Sequence, residues 1–517
     1  MNKRQPDILL IVLDTLRADR LSCYGYERNT TPHLDAFSEG GVLFERAISP
    51  GQWTIPAHAS LFTGEYPSTH MTTQIYDRHS ADQPTLAEVL GARGYETIGF
   101  CNNPLLGVVE NDLDRGFEGF YNYGGTLPER PPIGDSRPHI AGRVVQRAAR
   151  VVRDLTKPLQ NVFARNNFLL RLALHPRLVP LWRRYLNFKG NSAQSVRDLV
   201  GYLRVRQQKG PERPIFTFVN LMETHLPFGP PARFLRKFVP YFRHDREARE
   251  FMTRYNHEHY RWMVPLREPL TELQDRVLND MYDAEVAYED HLLRYVFNYV
   301  NQPEVRDDTI VIITSDHGEG MNNHDFVGHS LVAYDDLVHV PLIVRYPERY
   351  PEGLRVSRPV STRRVFHSVL EAAGVTNAPV DVAGLSLAAA LGADDPEGGL
   401  VFTEAFTPHT LLALMENEDP EAIDTYRCRF MRRAAYREAY KLIEVGDRPD
   451  ELFDVTRDPG ELDNLLERQP EVVHNLHGEL ERFVTEAEAR RPAAVMGQVD
   501  LGVDDIAERL RGLGYLE

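Results

Sequence analysis

The sequence predicts an α/β protein with a large, mixed but mostly parallel sheet flanked by helices, followed by a smaller α+β domain. Three observations predict this fold. Continuous runs of β-type apolar residues alternate with helical patterns, acids follow closely on two of those runs, and shorter strands appear after about residue 375. The chain has 517 residues, of which 42% are hydrophobic and 26% charged, so it is neither disordered nor fibrous.

The two strongest strand patterns each lead into an acidic residue. Residues 8–13 end directly before Asp14, and residues 309–314 are followed by Ser315 and Asp316. Such apolar runs are typical of parallel strands that are buried on both faces. Open α/β sheets bind their ligands beyond the carboxyl ends of these strands. We therefore expect both acids at one edge of the sheet, facing a ligand.

Weaker patterns complete the two units. Further strands of the large sheet are predicted at residues 96–101, 215–221 and 340–344, with helices at 84–93 and 273–300. The later pattern predicts strands near 400–402, 430–436 and 440–445, a helix at 470–490 and a short docking helix at 506–515. We therefore predict a large domain at residues 1–375 and a smaller domain with an antiparallel sheet at 376–517.

Residues 129–213 differ from the rest in composition. Between Arg137 and Lys209 there are sixteen Lys and Arg residues but only two Asp and Glu residues, interleaved with apolar side chains. We interpret this stretch as a helical insertion with a solvated basic face. The alternative is a lid or a peripheral docking surface for an anionic lipid, polymer or membrane face.

Charge and cysteine content limit the partners and the compartment. The net charge of −16 favours solubility and argues against nucleic-acid binding by the chain as a whole. Three cysteines cannot form a disulfide framework in a chain of this length. The first apolar run is too short for a signal-peptide core, and no apolar run is long enough to cross a membrane. We therefore expect a cytoplasmic protein without integral membrane association.

Potential ligands for a cation concentrate in four places: Asp14, residues 53–58, residues 223–227 and residues 316–329. Taken singly, each has a structural explanation, since Asp14 could cap a helix and His225 could be a hydrogen-bonded loop histidine. Together, carboxylates at two strand ends and nearby histidines supply oxygen and nitrogen ligands. Such sets bind zinc, manganese, calcium or magnesium. The sequence therefore predicts a divalent metal site.

A threonine hydroxyl is predicted close to this site. Thr54 precedes Pro56 at the start of a short helical pattern that Gly64 closes. Backbone N–H groups and the helix dipole favour an anion at such a helix start. Coordination to a cation lowers the pKa of a hydroxyl and makes it a better nucleophile.

Several ordered motifs carry a family resemblance. They lie at residues 14–19 with 23–25, 31–35, 54–58, 63–67, 220–227, 282–286, 314–319 with 328–329, 340–343, 451–454, and 458–461 with 464–465. On these residues the chain resembles the sulfatase family of the alkaline phosphatase superfamily, over nearly its whole length. The resemblance implies hydrolysis of sulfate or phosphate esters through a metal-bound nucleophile and a covalent intermediate.

The resemblance also implies roles by position. Asp14, Asp316 and His317 match metal ligands, and Thr54 matches a residue that is both ligand and nucleophile.

Three further histidines and one acid occupy positions near the implied centre. His225 and His329 match positions that bind the transferred group or protonate the leaving oxygen. His58 either lines the anion pocket and binds substrate or packs beneath the Thr54 turn. Glu319 is expected to hydrogen-bond a ligand from outside the inner set.

The nucleophile motif departs from that of sulfatases proper. They carry Cys or Ser in a Cys/Ser-x-Pro-x-Arg motif that is oxidised to formylglycine, whereas this chain has Thr54 and His58 at those positions. Thr15 stands where a second acid is usual. Oxidation of a threonine hydroxyl would give a ketone rather than an aldehyde, so a formylglycine mechanism is not expected.

The Thr-x-Pro-x-His pattern is similar instead to the nucleotide pyrophosphatase/phosphodiesterase branch, in which Thr attacks phosphorus and two zinc ions are bound. Glu223, His225, and His324 or His329 are candidates for a second ion, although that branch's Pro-Asp-x-x-Gly-His motif is missing from the sequence. Phosphoethanolamine transferases also use a Thr nucleophile, but they carry transmembrane helices.

These observations predict a metal-dependent hydrolase of a small-molecule or polymer ester. A phosphate ester, in particular a diester, is favoured over a sulfate ester. Two alternatives stay open: transfer of the same group to an acceptor other than water, and a catalytically silent member that binds anionic ligands.

Overall fold

We describe the protein from a computed structural model. It describes residues 5–124, 130–131, 189–257, 262, 269–375 and 384–492, with the exception of residues 76, 108, 110 and 330. Most of the basic stretch 129–213 and the predicted helix at 506–515 lie outside the described residues.

Seventeen strands form the sheets of the described chain. They are β1 (Asp7–Leu13), β2 (Val42–Phe44), β3 (Ala47–Ile48), β4 (Glu96–Cys101), β5 (Gly119–Asn122), β6 (Ile215–Leu221), β7 (Thr309–Thr314), β8 (Gly320–Met321), β9 (Val327–Gly328), β10 (His339–Val340), β11 (Leu342–Arg345), β12 (Leu354–Val356), β13 (Val360–Ser361), β14 (Val401–Ala405), β15 (Arg432–Arg437), β16 (Tyr440–Val445) and β17 (Arg448–Asp454).

The described helices flank these sheets. They are α1 (Pro32–Ser38), α2 (Thr54–Thr63), α3 (Pro67–His70), α4 (Leu86–Ala92), α5 (Ser192–Lys209), α6 (Ala232–Phe238), α7 (Arg246–His257), α8 (Glu272–Val300), α9 (Pro303–Arg306), α10 (Asp335–Val338), α11 (Arg364–Ala372), α12 (His409–Glu418), α13 (Pro420–Thr425) and α14 (Pro470–Ala489). In this part of the chain, none is both long and apolar enough to cross a bilayer.

The large sheet confirms the predicted fold class. Its eight strands have the order β12-β2-β11-β7-β1-β6-β4-β5, and β11 runs antiparallel to both of its neighbours. The central strand β1 pairs in parallel with β6 and with β7. Its apolar residues alternate between two cores: Leu9 and Ile11 pack on the side of α8, and Ile8 and Leu10 on the side of α2. Burial of each such side chain contributes roughly 1.5–3 kcal/mol.

One predicted strand is wrong in detail. Residues 340–344 do not form one strand, because the segment divides at Pro341 into β10 and β11, which belong to different sheets. Proline has no backbone N–H to donate and therefore interrupts a ladder. The other predicted strands of the large sheet and the long helix α8 are confirmed within one residue.

A second sheet with the order β14-β15-β16-β17 is antiparallel throughout, and α14 packs on it. The sequence patterns predicted three of its strands and missed β17. The predicted boundary between residues 375 and 376 stays a prediction, because residues 376–383 are not described.

Buried polar contacts connect the two sheets. The backbone N–H of Glu404 in β14 donates to the carbonyl of Pro50 at 2.9 Å, and the Glu404 carboxylate accepts the N–H of Ser68 at 2.7 Å. The fully buried ammonium of Lys441 in β16 bonds Asp335 at 2.8 Å and Glu461 at 2.5 Å. Asp335 begins α10, so the smaller sheet is tied to segments that follow α2 and β9.

We expect Lys441→Met to lower the free energy of unfolding by about 3–5 kcal/mol, because it leaves the buried Glu461 carboxylate and the half-buried Asp335 carboxylate without their cation. Urea unfolding would measure the change. The matched control is Arg246→Met, which removes a cation from an exposed ion pair with Glu250 and should cost less than about 1 kcal/mol. Equal effects of the two substitutions would contradict this interpretation of Lys441.

Candidate active site

Two carboxylates meet at the carboxyl ends of the adjacent strands β1 and β7. Val12 pairs with Thr314 in parallel register, so Asp14 and Asp316 follow their strands at the same level. Both side chains are fully buried. With His317, they form the group of described residues whose potential ligand atoms all lie within 4.8 Å of one another. The structure thus brings together three residues that the sequence placed in one metal site.

Each carboxylate has one satisfied and one unsatisfied oxygen. Oδ2 of Asp14 accepts from the side-chain amides of Asn103 at 2.7 Å and Asn220 at 3.1 Å. Oδ1 of Asp316 accepts the backbone N–H groups of His317 at 2.9 Å and Thr15 at 3.3 Å. The second oxygen of each acid is buried without a hydrogen-bond partner.

These unpaired oxygens fit a divalent cation. Burial, and then the charge of Asp14, raise the pKa of Asp316 well above its usual range. Two buried acids this close are costly when both are ionised and no positive charge lies between them. A cation bound to both free oxygens would remove that cost. The oxygen and imidazole ligands of this site suit zinc, manganese, calcium or magnesium.

The hydrogen bonds of His317 define which of its nitrogens faces the acids. Nδ1 donates to the carbonyl of Gly318 at 2.9 Å, so Nε2 carries the lone pair when the ring is neutral. Burial, and then the neighbouring His329, lower the pKa of His317 well below its usual range. Nε2 lies 3.4 Å from Oδ2 of Asp316 and can therefore act as a ligand or accept a proton.

The hydroxyl of Thr54 lies at the edge of this group. Thr54 is the first residue of α2, and the helix ends at Gly64, whose φ of 73° is the left-handed conformation that glycine adopts easily. The predicted helix start is thus confirmed. Oγ1 of Thr54 lies 3.4 Å from Nε2 of His317 and 3.4 Å from the amide nitrogen of Asn103.

His58 lies one turn further along α2 and beneath the acids. Its ring is fully buried and packs edge-on against Phe62 and Phe218. Nδ1 lies 3.0 Å from the Thr54 carbonyl and 3.4 Å from Oδ2 of Asp316. Burial lowers the pKa of His58 to about 4. This geometry favours a neutral ring that supports the Thr54 turn; the predicted substrate contact stays a prediction.

Two further histidines face each other beside His317. The ring centroids of His225 and His329 are 5.1 Å apart, and His329 lies 4.5 Å from the His317 ring. Nδ1 of His329 bonds Oε1 of Glu319 at 2.9 Å. Burial works against a positive ring, but the charge and hydrogen bond of Glu319 outweigh it and raise the pKa of His329. Burial, and then His329, lower the pKa of His225.

Thr15, at the position of the usual second acid, has a strained backbone. Its φ of 62° lies in the left-handed region, which costs a β-branched residue roughly 1–3 kcal/mol. The hydroxyl of Tyr282 holds this turn, since it donates to the Thr15 carbonyl at 2.6 Å and accepts the N–H of Arg17 at 3.0 Å. The turn directs the Thr15 N–H to Asp316 and leaves the neutral Thr15 hydroxyl buried.

Two of the four candidates for a second ion, Glu223 and His324, lie against other side chains. His324 lies parallel to the Tyr334 ring at 3.7 Å, and the Glu223 carboxylate lies near Lys189, which partly offsets the rise that burial causes in its pKa. Among the described residues, neither joins a group of three close ligand atoms.

Asn103 and Asn220 are the site residues that the sequence interpretation missed. Asn103 follows β4, so the strand-end argument that selected Asp14 would also have found it. Asn220 lies within β6, beside Val12 of β1, and periodicity alone does not distinguish such a residue from the apolar core.

Comparisons with known proteins agree with this geometry. The profile described as Sulfatase matches residues 6–375, and the profile for the N-sulphoglucosamine sulphohydrolase C-terminal region matches residues 323–486. The chain belongs to the sulfatase family. It is therefore a hydrolase of sulfuric or phosphoric esters.

Individual relatives are distant. The uncharacterized sulfatase YidJ of Escherichia coli is 23% identical over 475 residues, which cover 90% of this chain and 84% of that protein. The Ulvan-active sulfatase of Formosa agariphila is 24% identical, with coverage of 89% and 77%. The solved phosphonate monoester hydrolase of Agrobacterium radiobacter has a TM-score of 0.64 and 20% identity over 96% of this chain and 97% of its own. That likeness supports the alkaline phosphatase-like fold.

We expect chelation to remove a divalent cation, which metal analysis would detect, and to lower the thermal midpoint until the cation is restored. Asp316→Asn should reduce cation affinity at least tenfold, because it removes the charge of one ligand. Asp283→Asn alters another fully buried acid, paired with Arg28, and should leave cation content unchanged. Full cation content in Asp316→Asn would contradict the site.

We expect Asn103→Ala to lower kcat about 10–100-fold, because partners that orient a ligand contribute effects of this size. Steady-state kinetics would measure it. Asn102→Ala is the control, since the neighbouring amide bonds the Asn220 carbonyl at 2.8 Å and not Asp14. Similar losses in both variants would show that local stability, and not the contact with Asp14, matters.

Proposed function

We propose that the protein hydrolyses its ester by attack of the Thr54 oxygen on phosphorus or sulfur. The observation that carries this proposal is the position of Oγ1, at the start of α2 and 3.4 Å from the unprotonated Nε2 of His317. Both atoms are close enough to bind one divalent cation, which would lower the pKa of the hydroxyl and let its proton pass to solvent. The free N–H groups at the start of α2 favour a substrate anion at the same point.

Asp14, Asp316, His317 and Thr54 would hold the divalent cation, which when bound would polarise the hydroxyl and neutralise charge on the ester oxygens. The protein's own contribution is preorganisation. The side-chain amide of Asn103 lies within hydrogen-bond distance of both Asp14 and Thr54. It therefore fixes the position of the nucleophile relative to the carboxylate.

In the first step, a bond forms between Oγ1 of Thr54 and phosphorus or sulfur, and the bond to the alcohol oxygen breaks. His329 donates the proton that this oxygen needs. The bond from its Nδ1–H to Glu319, which stabilises the charged ring, supports this role. In the second step, a water oxygen attacks the phosphorus or sulfur of the Thr54 ester, and the bond to Oγ1 of Thr54 breaks. The water proton passes to the neutral His225 or His329.

The charge balance favours substrates with one negative charge. Phosphate diesters, phosphonate monoesters and sulfate monoesters each carry a single charge at neutral pH, whereas phosphate monoesters carry close to two. Two carboxylates already face the transferred group, so each additional substrate charge is unfavourable. With the Thr-x-Pro-x-His motif, this favours a phosphate diester or a phosphonate monoester.

We expect Thr54→Ala to lower kcat at least 1,000-fold while ligand affinity is retained, because the covalent step is lost. Thr54→Ser keeps the hydroxyl and should retain measurable turnover. An assay on aryl phosphate diester, phosphonate monoester, aryl sulfate and phosphate monoester would measure both variants. Dominant Thr54-dependent sulfate hydrolysis would overturn the substrate preference, and turnover that survives in Thr54→Ala would overturn the nucleophile.

We expect His329→Gln to slow substrates with a poorly leaving alkyl alcohol at least tenfold more than substrates with a nitrophenol, since only the former need a proton on departure. Glu319→Gln should show the same trend more weakly. Kinetics on a series of leaving groups would measure the difference. Equal losses across the series would place the proton donor elsewhere.

A further inference from the structure

A cationic cleft lies at the opposite edge of the large sheet from Thr54. Its volume is about 450 Å³, and the polar side chains that line it are His33, Arg294, Asn298, Asn301, Arg306 and Arg345. We call it the arginine cleft.

The sheet register places this cleft far from the proposed reaction. Arg345 ends the antiparallel strand β11 and pairs with Val311 near the start of β7, whereas Asp316 follows the end of β7. Val311 and Asp316 are five residues apart, which at about 3.3 Å per residue corresponds to roughly 16 Å along the strand direction. A ligand in the arginine cleft therefore does not touch the acids or Thr54.

Arg345 is a buried cation whose hydrogen-bond partners among the described residues are neutral. Its side chain is 3% exposed, one nitrogen donates to the Val300 carbonyl at 2.8 Å, and another donates to the amide oxygen of Asn301. The guanidinium lies over the Phe37 ring at 4.4 Å, and its Nε has no hydrogen-bond partner. No carboxylate of the described chain forms an ion pair with it.

The neighbouring cations add to this charge. Burial, and then Arg306, lower the pKa of Arg345 to about 10, so it stays charged at neutral pH. Arg294 lies over the Tyr295 ring at 4.7 Å and donates to that hydroxyl at 2.9 Å, with no ion-pair partner among the residues described. Arg306 is paired with the exposed Glu352.

Buried charges are normally compensated by a counter-charge. Three guanidinium groups with two amide side chains form a set of planar donors, which matches the oxygens of a tetrahedral anion. Burial, and then Arg294, lower the pKa of His33, so this ring adds a neutral polar group.

We propose that the arginine cleft binds a phosphate or sulfate group. This site is separate from the catalytic centre and does not rest on the proposed function. The anion is either the free ion or a phosphate or sulfate group that remains esterified on a small molecule; both present the same oxygens.

The test uses the full-length protein carrying His225→Ala and His329→Ala, two substitutions chosen to weaken anion binding at the proposed catalytic centre. The thermal midpoint is measured against inorganic sulfate and inorganic phosphate at constant ionic strength, and its concentration dependence yields Kd. We expect Arg294→Gln with Arg306→Gln to weaken binding at least tenfold. Both side chains are partly or fully exposed, so these substitutions spare the buried Arg345.

Two matched variants sharpen the result. Glu352→Gln frees Arg306 from its partner and should tighten binding several-fold. Arg233→Gln removes an arginine of α6 outside the cleft and should leave Kd unchanged. The proposal would be overturned if the anions raised the thermal midpoint equally in all variants. It would also be overturned if they did not raise it at constant ionic strength.

A second titration with glucose 6-sulfate and glucose 6-phosphate distinguishes the sources. Tighter binding of the inorganic ions would identify the free ion as the ligand, and tighter binding of the esters would identify an esterified group. Either result supports the site if Arg294→Gln with Arg306→Gln weakens the binding at least tenfold. Binding that these substitutions leave unchanged in both titrations contradicts the site.

Discussion

The structure depends on two carboxylates buried side by side at the ends of adjacent parallel strands. Parallel pairing of β1 with β7 brings Asp14 and Asp316 to the same level, and burial makes their mutual repulsion strong. Four donors satisfy one oxygen of each acid: the amides of Asn103 and Asn220 and two backbone N–H groups. The other oxygen of each acid is buried without a hydrogen-bond partner. The buried pair therefore suits a divalent cation as its counter-charge.

The rest of the fold holds the groups around that pair in place. Tyr282 in α8 holds the strained Thr15 turn, and β4 and β6 present the two asparagines. The smaller sheet contributes through Glu404, which bonds the Pro50 carbonyl shortly before Thr54. It thus supports the segment that carries the nucleophile, although none of its residues belongs to the group of metal-ligand atoms.

Several features were predictable because they depend on local pattern. Strands β1, β4, β6 and β7 are apolar runs of the right length, and acids at two strand ends identify the site. The apolar pattern of residues 340–344 does not show the division at Pro341, which comes from the missing N–H of proline. Strand β17 has no apolar pattern, because its residues are mostly polar. The sequence does not decide whether His58 binds substrate or packs beneath the Thr54 turn, because both roles need a histidine at the same position of α2.

The sequence by itself determined the fold class, the family and the residue types available for chemistry, because periodicity and motif order are properties of the chain. Only the tertiary structure decided which of those residues meet. It brought Asn103 to Asp14 and paired Glu319 with His329, and it left His324 stacked on Tyr334. It also left Arg345 buried without an ion-pair partner among the described residues. The physical reason is that strand register and the path of the loops set the distances between side chains, whether 89 positions separate them, as for Asp14 and Asn103, or 10, as for Glu319 and His329. No local pattern encodes those distances.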